Sequence, residues 1–148
     1  MQLTTFLRIV LIHNKLPSQI SRYANPPKQI VEHYVNSYNS FDVAGMLKNL
    51  DHEIIFENIS NGVVDLRTDG IEDFRIQAEA ATQYFKERTQ KIVSWTYSDT
   101  TVTIMIDYKA ILNMDLPNGM KKGDTLEMKG QSQFEFKNDR IVKILDLS

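Results

Sequence analysis

Tyr34, Tyr38, Tyr108 and Trp95 are the side chains by which this chain could hold a polar group in apolar surroundings. Each joins a large apolar ring to a polar tip, and a buried tip needs a partner. They are therefore expected to face a cavity rather than a dry core. Proton transfer would need a further group that titrates near neutrality. The carboxylates that come into question are Glu57, Asp65, Asp69 and Asp107; the histidines are His13, His33 and His52. Strand alternation sends Glu57 to the face opposite Asn58, and Asp107 away from Tyr108. Asp65 and Asp69 flank a predicted hairpin and belong at its rim. His33 lies about 100° round a helix from Tyr34, and His52 precedes a strand, so both read as surface residues. No two histidines have the H-x-x-x-H spacing, so no metal site is expected. No nucleophile elbow, phosphate loop or dinucleotide fingerprint occurs, and no cofactor is expected. Lys121-Lys122 reads as a solvated turn.

Composition limits the setting for this chemistry. The chain has 148 residues, the size of one ordinary domain, and 42% of them are hydrophobic, enough for a core. With 17 basic and 19 acidic residues the net charge is −2, which gives no electrostatic reason to bind nucleic acid or an anionic membrane. There is no cysteine, so disulfides and thiolate chemistry are excluded. Phe6 to Ile12 resembles a short signal segment, but Arg8 interrupts it and no clean cleavage site follows. Residues 1–25 are read as an extension and 26–148 as the domain, with a cytoplasmic location expected. The sequon Asn58-Ile59-Ser60 then carries no glycan.

The elements that must position these groups follow from hydrophobic period. Pro27 suits the first turn of a helix, and Ile30, Tyr34, Tyr38 and Phe41 recur on one of its faces. Asp42 is placed to cap a second, short helix with the stripe Val43, Met46, Leu47 and Leu50. The period then changes to alternation: Ile54, Phe56 and Asn58 point one way. Asn61-Gly62 between apolar runs signals a hairpin. Asp69 is expected to cap a third helix, with Glu72 reaching back. Its apolar stripe reads Ile71, Phe74, Ala78, Ala81 and Phe85, and its charged face includes Arg75, Glu79, Lys86 and Arg88, taken as solvated. Four strands are predicted over Ile92–Tyr97, Thr101–Met114, Thr125–Phe136 and Ile141–Leu147. Val102, Ile104, Ile106, Tyr108, Ala110 and Leu112 share a face, as do Leu126, Met128, Gly130, Ser132, Phe134 and Phe136. Gly130 could mark a bulge or a sharp bend. Without βαβ alternation the fold class is α+β: a curved antiparallel sheet packed on three N-terminal helices, a cone with a mouth. Trp95, Tyr97, Tyr108, Phe56, Phe134 and Phe136 supply its aromatic packing.

On these elements the chain resembles the nuclear transport factor 2-like superfamily, the cystatin-like roll that includes ketosteroid isomerase and the SnoaL-like polyketide cyclases. The resemblance runs from Pro27 to Ser148. It rests on His33 to Asp42 as the first helix and its ending, Ile55 to Asn58 as the first strand, Thr68 to Phe74 as the start of the third helix, and Ser132 to Phe136 with Arg140 to Val142 as the last hairpin. It implies that Tyr34 stands where the isomerase has its oxyanion tyrosine, Asn58 where it has its carboxylate base, and Ser132 where it has its second oxyanion donor. An amide cannot take the proton and a serine is an ordinary hydroxyl donor, so isomerase chemistry of that type is not expected.

The resemblance implies a SnoaL-like pocket protein for a small, largely apolar molecule. Tyr34, Asn58 and Ser132 would orient the ligand's polar group; Phe56, Tyr108 and Phe134 would line the walls, with Tyr38 and Trp95 beside them. One alternative is a lyase, isomerase or cyclase with an unrecognised acid, marked by a carboxylate of raised pKa inside the pocket. The other is a non-catalytic homodimeric module, joined through the outward face with Thr103, Met105, Asp107, Gln131, Gln133 and Glu135, and marked by a pocket filled with its own side chains.

Overall fold

The computed structural model describes residues 25–148. The Phe6–Ile12 stretch and His13 lie outside the described residues. Helix α1 spans Pro26–Asn39 and is opened by Asn25, whose side chain accepts from the Lys28 N–H at 3.2 Å. Pro26 and Pro27 fill the first two positions, where a missing N–H costs nothing. Its buried face is Val31, Tyr34 and Val35. Past its end, Phe41 has φ 59°, a left-handed conformation that costs a side-chain-bearing residue about 1 kcal/mol.

Helix α2, Val43–Leu47, is capped as its sequence predicts: Asp42 accepts from the Gly45 N–H at 2.9 Å. Gly45 is confined for a second reason. A Cβ there would run into the Asp42 carboxylate and the Ser37 hydroxyl. We expect Gly45→Ala to displace the cap and lower stability by about 1–2 kcal/mol in urea denaturation.

Strands β1, Leu50–Ser60, and β2, Val63–Asp69, form the first hairpin. Asn61 and Gly62 both have positive φ, 51° and 77°, as the tight turn requires. Helix α3, Ile71–Ala81, starts differently from expectation. Asp69 does not cap it through its side chain; its own N–H is held by the Asp73 carboxylate at 3.0 Å, so Asp73 takes the role expected of Glu72.

The helix is also shorter than its apolar stripe. After Ala81 the chain tightens through a single 3₁₀ turn, Thr82–Tyr84, and enters β3, Phe85–Tyr97. Phe85 keeps the helical spacing by coincidence: no glycine or proline marks the stop, and its ring packs against Tyr84 and Tyr108 from a strand. Lys86 and Arg88 are therefore strand residues. Arg88 is only 3% exposed, the reverse of a solvated face.

Strands β4, Thr101–Leu112, β5, Thr125–Lys137, and β6, Arg140–Leu147, complete a curved, unclosed sheet in the order β2-β1-β6-β5-β4-β3. Every neighbouring pair is antiparallel except β1 and β6, which run parallel. The inward row of β4 is buried as its alternation predicts, and Met105 and Asp107 face out. Gly130 makes no bulge: it pairs regularly with Ile106, and a Cβ there would touch the Leu147 carbonyl at an ordinary 3.4 Å. The irregularities fall elsewhere, among them one beside Val93 in β3 and one beside Val142 in β6. The core joins Val31 and Val35 of α1, Met46 of α2 and Phe74 of α3 to Ile54, Ile104, Phe134 and Ile144 of the sheet. Among the described residues no helix is long and apolar enough to cross a membrane.

Candidate functional site

Two chambers lie against the concave face, the inner one covered by the helices. The inner one, about 110 Å³, is lined by Tyr34, Tyr38, Phe56 and Phe74 together with Arg88, Gln90 and Asp146. The outer one is open and measures about 680 Å³; Asn58, Tyr108, Ser132 and Met128 stand in its wall. Gln90 and Asp146 belong to both walls and mark where the chambers meet.

Asp146 is the one carboxylate in the inner chamber. It sits on β6 opposite Ser132 of β5 and beside Asn58 of β1. Paired residues on adjacent strands share a face, so pairing alone gathers the three. Ser132 donates its hydroxyl hydrogen to Asp146 Oδ1 at 2.6 Å. Loss of hydration pushes the Asp146 carboxyl up to about 6, the Ser132 hydrogen bond pulling the other way.

The tyrosines surround this acid. Tyr34 is buried, its ring edge-on to Phe134 at 5.5 Å. Burial first, and the nearby Asp146 charge second, hold its hydroxyl well above the usual range. Tyr38 and Tyr108 share a hydrogen bond, hydroxyl to hydroxyl, at 2.9 Å. Burial raises both. All three phenols therefore stay protonated and able to donate at neutral pH.

Two side chains tie α1 to β3 and shape the inner wall. Asn39 accepts from the Gln90 N–H at 2.7 Å and donates to the Gln90 carbonyl at 3.1 Å, so it stands in for a neighbouring strand along the sheet edge. Arg88 donates through Nε to the Tyr38 carbonyl at 2.8 Å near the end of α1. Its guanidinium lies 3.7 Å from the centre of the Tyr38 ring and 4.5 Å from that of Phe41.

The expected pocket residues divide accordingly. Tyr34, Tyr38 and Phe56 reach the inner chamber, and Asn58, Tyr108 and Ser132 the outer one. Phe134 and Trp95 line neither: Phe134 is fully buried under Tyr34, and Trp95 stacks on Tyr97. Asn58 donates to Asp65 at 2.8 Å, and Asp65 is held below its ordinary range by that bond and by Ser60. Glu57 faces outward and pairs with Arg67 and Lys143. His52 is exposed; His33 is half-buried, its Nε2 enclosed without a partner, which is less open than a surface residue should be. Among the described residues no cluster suited to a metal ion occurs.

The family profile of the SnoaL-like domain matches residues 31–144, nearly the whole described fold. The chain belongs to the SnoaL-like domain family. No curated protein matches the sequence. Solved structures with this SnoaL-like fold include a candidate polyketide cyclase from Xanthomonas campestris pv. campestris, 16% identical, with a TM-score of 0.71 over 83% of this chain and 90% of that one. A candidate SnoaL-like polyketide cyclase from Jannaschia sp. CCS1 is 9% identical, with a TM-score of 0.70 over 82% and 83%. An epoxide hydrolase of the LEH-like type from M. tuberculosis is 16% identical, with a TM-score of 0.64 over 80% and 79%. At such identities the likeness is one of fold.

Proposed function

We propose that this SnoaL-like domain binds a small, largely apolar carbonyl compound and moves a proton on it, with Asp146 as the acid–base group. The observation that carries this reading is a lone carboxylate at the junction of two chambers, its pKa raised to about 6 by loss of hydration. An acid–base group works best when its pKa lies near the operating pH. Lyases, isomerases and cyclases share one step that such a group serves: removal of a proton next to a carbonyl. The base missing at Asn58 is supplied from β6, one strand over in the same row. Tyr34 is the donor for the developing oxyanion, because it lines the inner chamber with Asp146 and its hydroxyl stays protonated. Ser132 steadies the carboxylate rather than the ligand. The open chambers are what a module packed solely with its own side chains would lack.

The test is exchange of α-protons for deuterium in a panel of cyclic ketones and β-dicarbonyl compounds, followed by NMR in D₂O. Exchange catalysed by the protein should rise with pH through about 6 and then level off, because the ionised carboxylate is the base. Catalysis indistinguishable from buffer across the panel, or equal in Asp146→Asn, would overturn the assignment.

A further inference from the structure

Arg88 is a buried cation without a counter-charge. It is 3% exposed, and none of the ion pairs among the described residues includes it. Its Nε is used by the Tyr38 carbonyl, while its Nη2 is enclosed without an acceptor among the described residues. Stacking on Tyr38 and Phe41 recovers part of the lost hydration, since a guanidinium is attracted to an aromatic face. Stacking does not satisfy an N–H. A guanidinium is a planar, delocalised cation with its donors in a fixed fork, which suits a planar anion. A buried cation at the chamber wall without an ion pair points to a ligand group that supplies the missing charge.

Asp146 shares the inner chamber but forms no ion pair with Arg88. The chamber thus holds a fixed cation on the α1–β3 side and a titrating acid on the β6 side. Its volume, about 110 Å³, admits a small head group, and the body of a larger molecule would extend into the outer chamber.

We infer that the ligand carries a carboxylate, which enters the inner chamber and pairs with the Arg88 guanidinium at its wall. A carboxylate fits best because it supplies a permanent, planar, delocalised charge to a permanent, planar cation. The inference deepens the proposed function, on which it rests for the chamber's role: the substrate would be a small apolar keto acid or related acid, held at Arg88 while Asp146 acts on its carbon framework.

The test compares benzoate, phenylacetate and 3-phenylpropanoate with their primary amides, by calorimetric titration at about pH 8. Wild-type protein should bind at least one acid saturably and about tenfold or more tighter than its amide, a difference near 1.4 kcal/mol. Arg88→Gln should erase the difference, and Arg88→Lys should leave a reduced one. Should Arg88→Gln fail to fold, the wild-type ratio and Arg88→Lys still decide. Acids that do not bind up to their solubility limit, or that bind no better than amides, would overturn the inference, as would an undiminished preference in Arg88→Gln or in Arg88→Lys. Asp146→Asn separates the two proposals. It removes the proton-transfer group and should keep the preference for acids, so acid binding without any α-proton exchange would sink the catalytic reading alone.

Discussion

Asp146→Asn is expected to lower α-proton exchange by about two to four orders of magnitude and, at pH 8, to raise the stability of the fold. The first effect follows because an amide cannot accept the proton. The second follows from linkage. Asp146 titrates near 6 in the folded protein, against about 4 for an unfolded aspartate. Below pH 4 the carboxyl is neutral in both states and costs nothing. Between pH 4 and 6 the unfolded chain loses its proton while the folded chain keeps it, so stability falls. Above pH 6 the folded chain holds a poorly hydrated charge, at a full cost of about 2–3 kcal/mol. Asparagine keeps a carbonyl oxygen for the Ser132 hydroxyl and has no charge to desolvate. The variant should therefore match wild type near pH 4 and exceed it by about 2–3 kcal/mol at pH 8. Urea denaturation at the two pH values measures the difference. An Asp146→Asn protein equal to or weaker than wild type at pH 8 would mean that the carboxylate is adequately solvated, and its use as an acid–base group would lose its physical basis.

Loss of stability for the sake of a charged group is common at functional sites. Here it also explains why the acid is hard to find in the sequence. The outline of the fold is legible because period reports it directly. Tyr34 on a helical stripe, the inward row of β4, the Asn61-Gly62 turn and the Asp42 cap each announce themselves locally. Asp146 does not, because its face depends on one extra residue. Asn138 and Asp139 form a two-residue turn with positive φ at both positions. Continued without a break, that hairpin would set Leu145 opposite Ser132 and Asp146 opposite Gln131, on the outer face. The irregularity beside Val142 shifts β6 by one, so that Ile144 meets Phe134 and Asp146 meets Ser132. A one-residue shift exchanges the two faces of a strand. A clue was present: the unbroken register would have buried Lys143 and exposed Ile144.

Arg88 was hidden by a different coincidence. Phe85 continues the spacing of α3, so the charged residues after it read as the outer side of a helix. Counting back from Ile92 by twos gives Gln90 and Arg88 on the inward face of a strand, and this is the structure's answer. Both functional candidates were thus lost at element boundaries and register breaks, where local period carries the least information. The position resembling the isomerase base holds an amide engaged by Asp65, while the neighbouring strand carries the acid in the same row. On the proposed function, the carboxylate stands one strand to the side of the position that the resemblance marks for the base.

Phe134→Ala carries the largest expected loss of stability, about 3–5 kcal/mol. Phe134 has no exposed surface, lies between Val102 of β4 and Ile144 of β6, and supports the Tyr34 ring. Removing it forfeits the transfer free energy of a whole ring and leaves a void that β4, β5 and β6 are too tightly paired to close. Domains of this size are stable by only about 5–15 kcal/mol, so the variant should be close to unfolding at physiological temperature. Trp95, the single tryptophan, lies on β3 and offers a fluorescence signal for urea denaturation. The midpoint should fall sharply with the slope unchanged, because the same surface is exposed on unfolding. Phe134→Leu fills most of the void and should retain most of the stability. Its effect on function is the more informative one: Tyr34 would lose its edge-on contact while every polar group stays in place. If Tyr34 must be held still to donate to an oxyanion, Phe134→Leu should reduce α-proton exchange at low temperature, where the protein is fully folded. Exchange at the wild-type rate in that variant would show that the Tyr34 hydroxyl needs no support from beneath, and the role of oxyanion donor would have to pass to the Tyr38–Tyr108 pair.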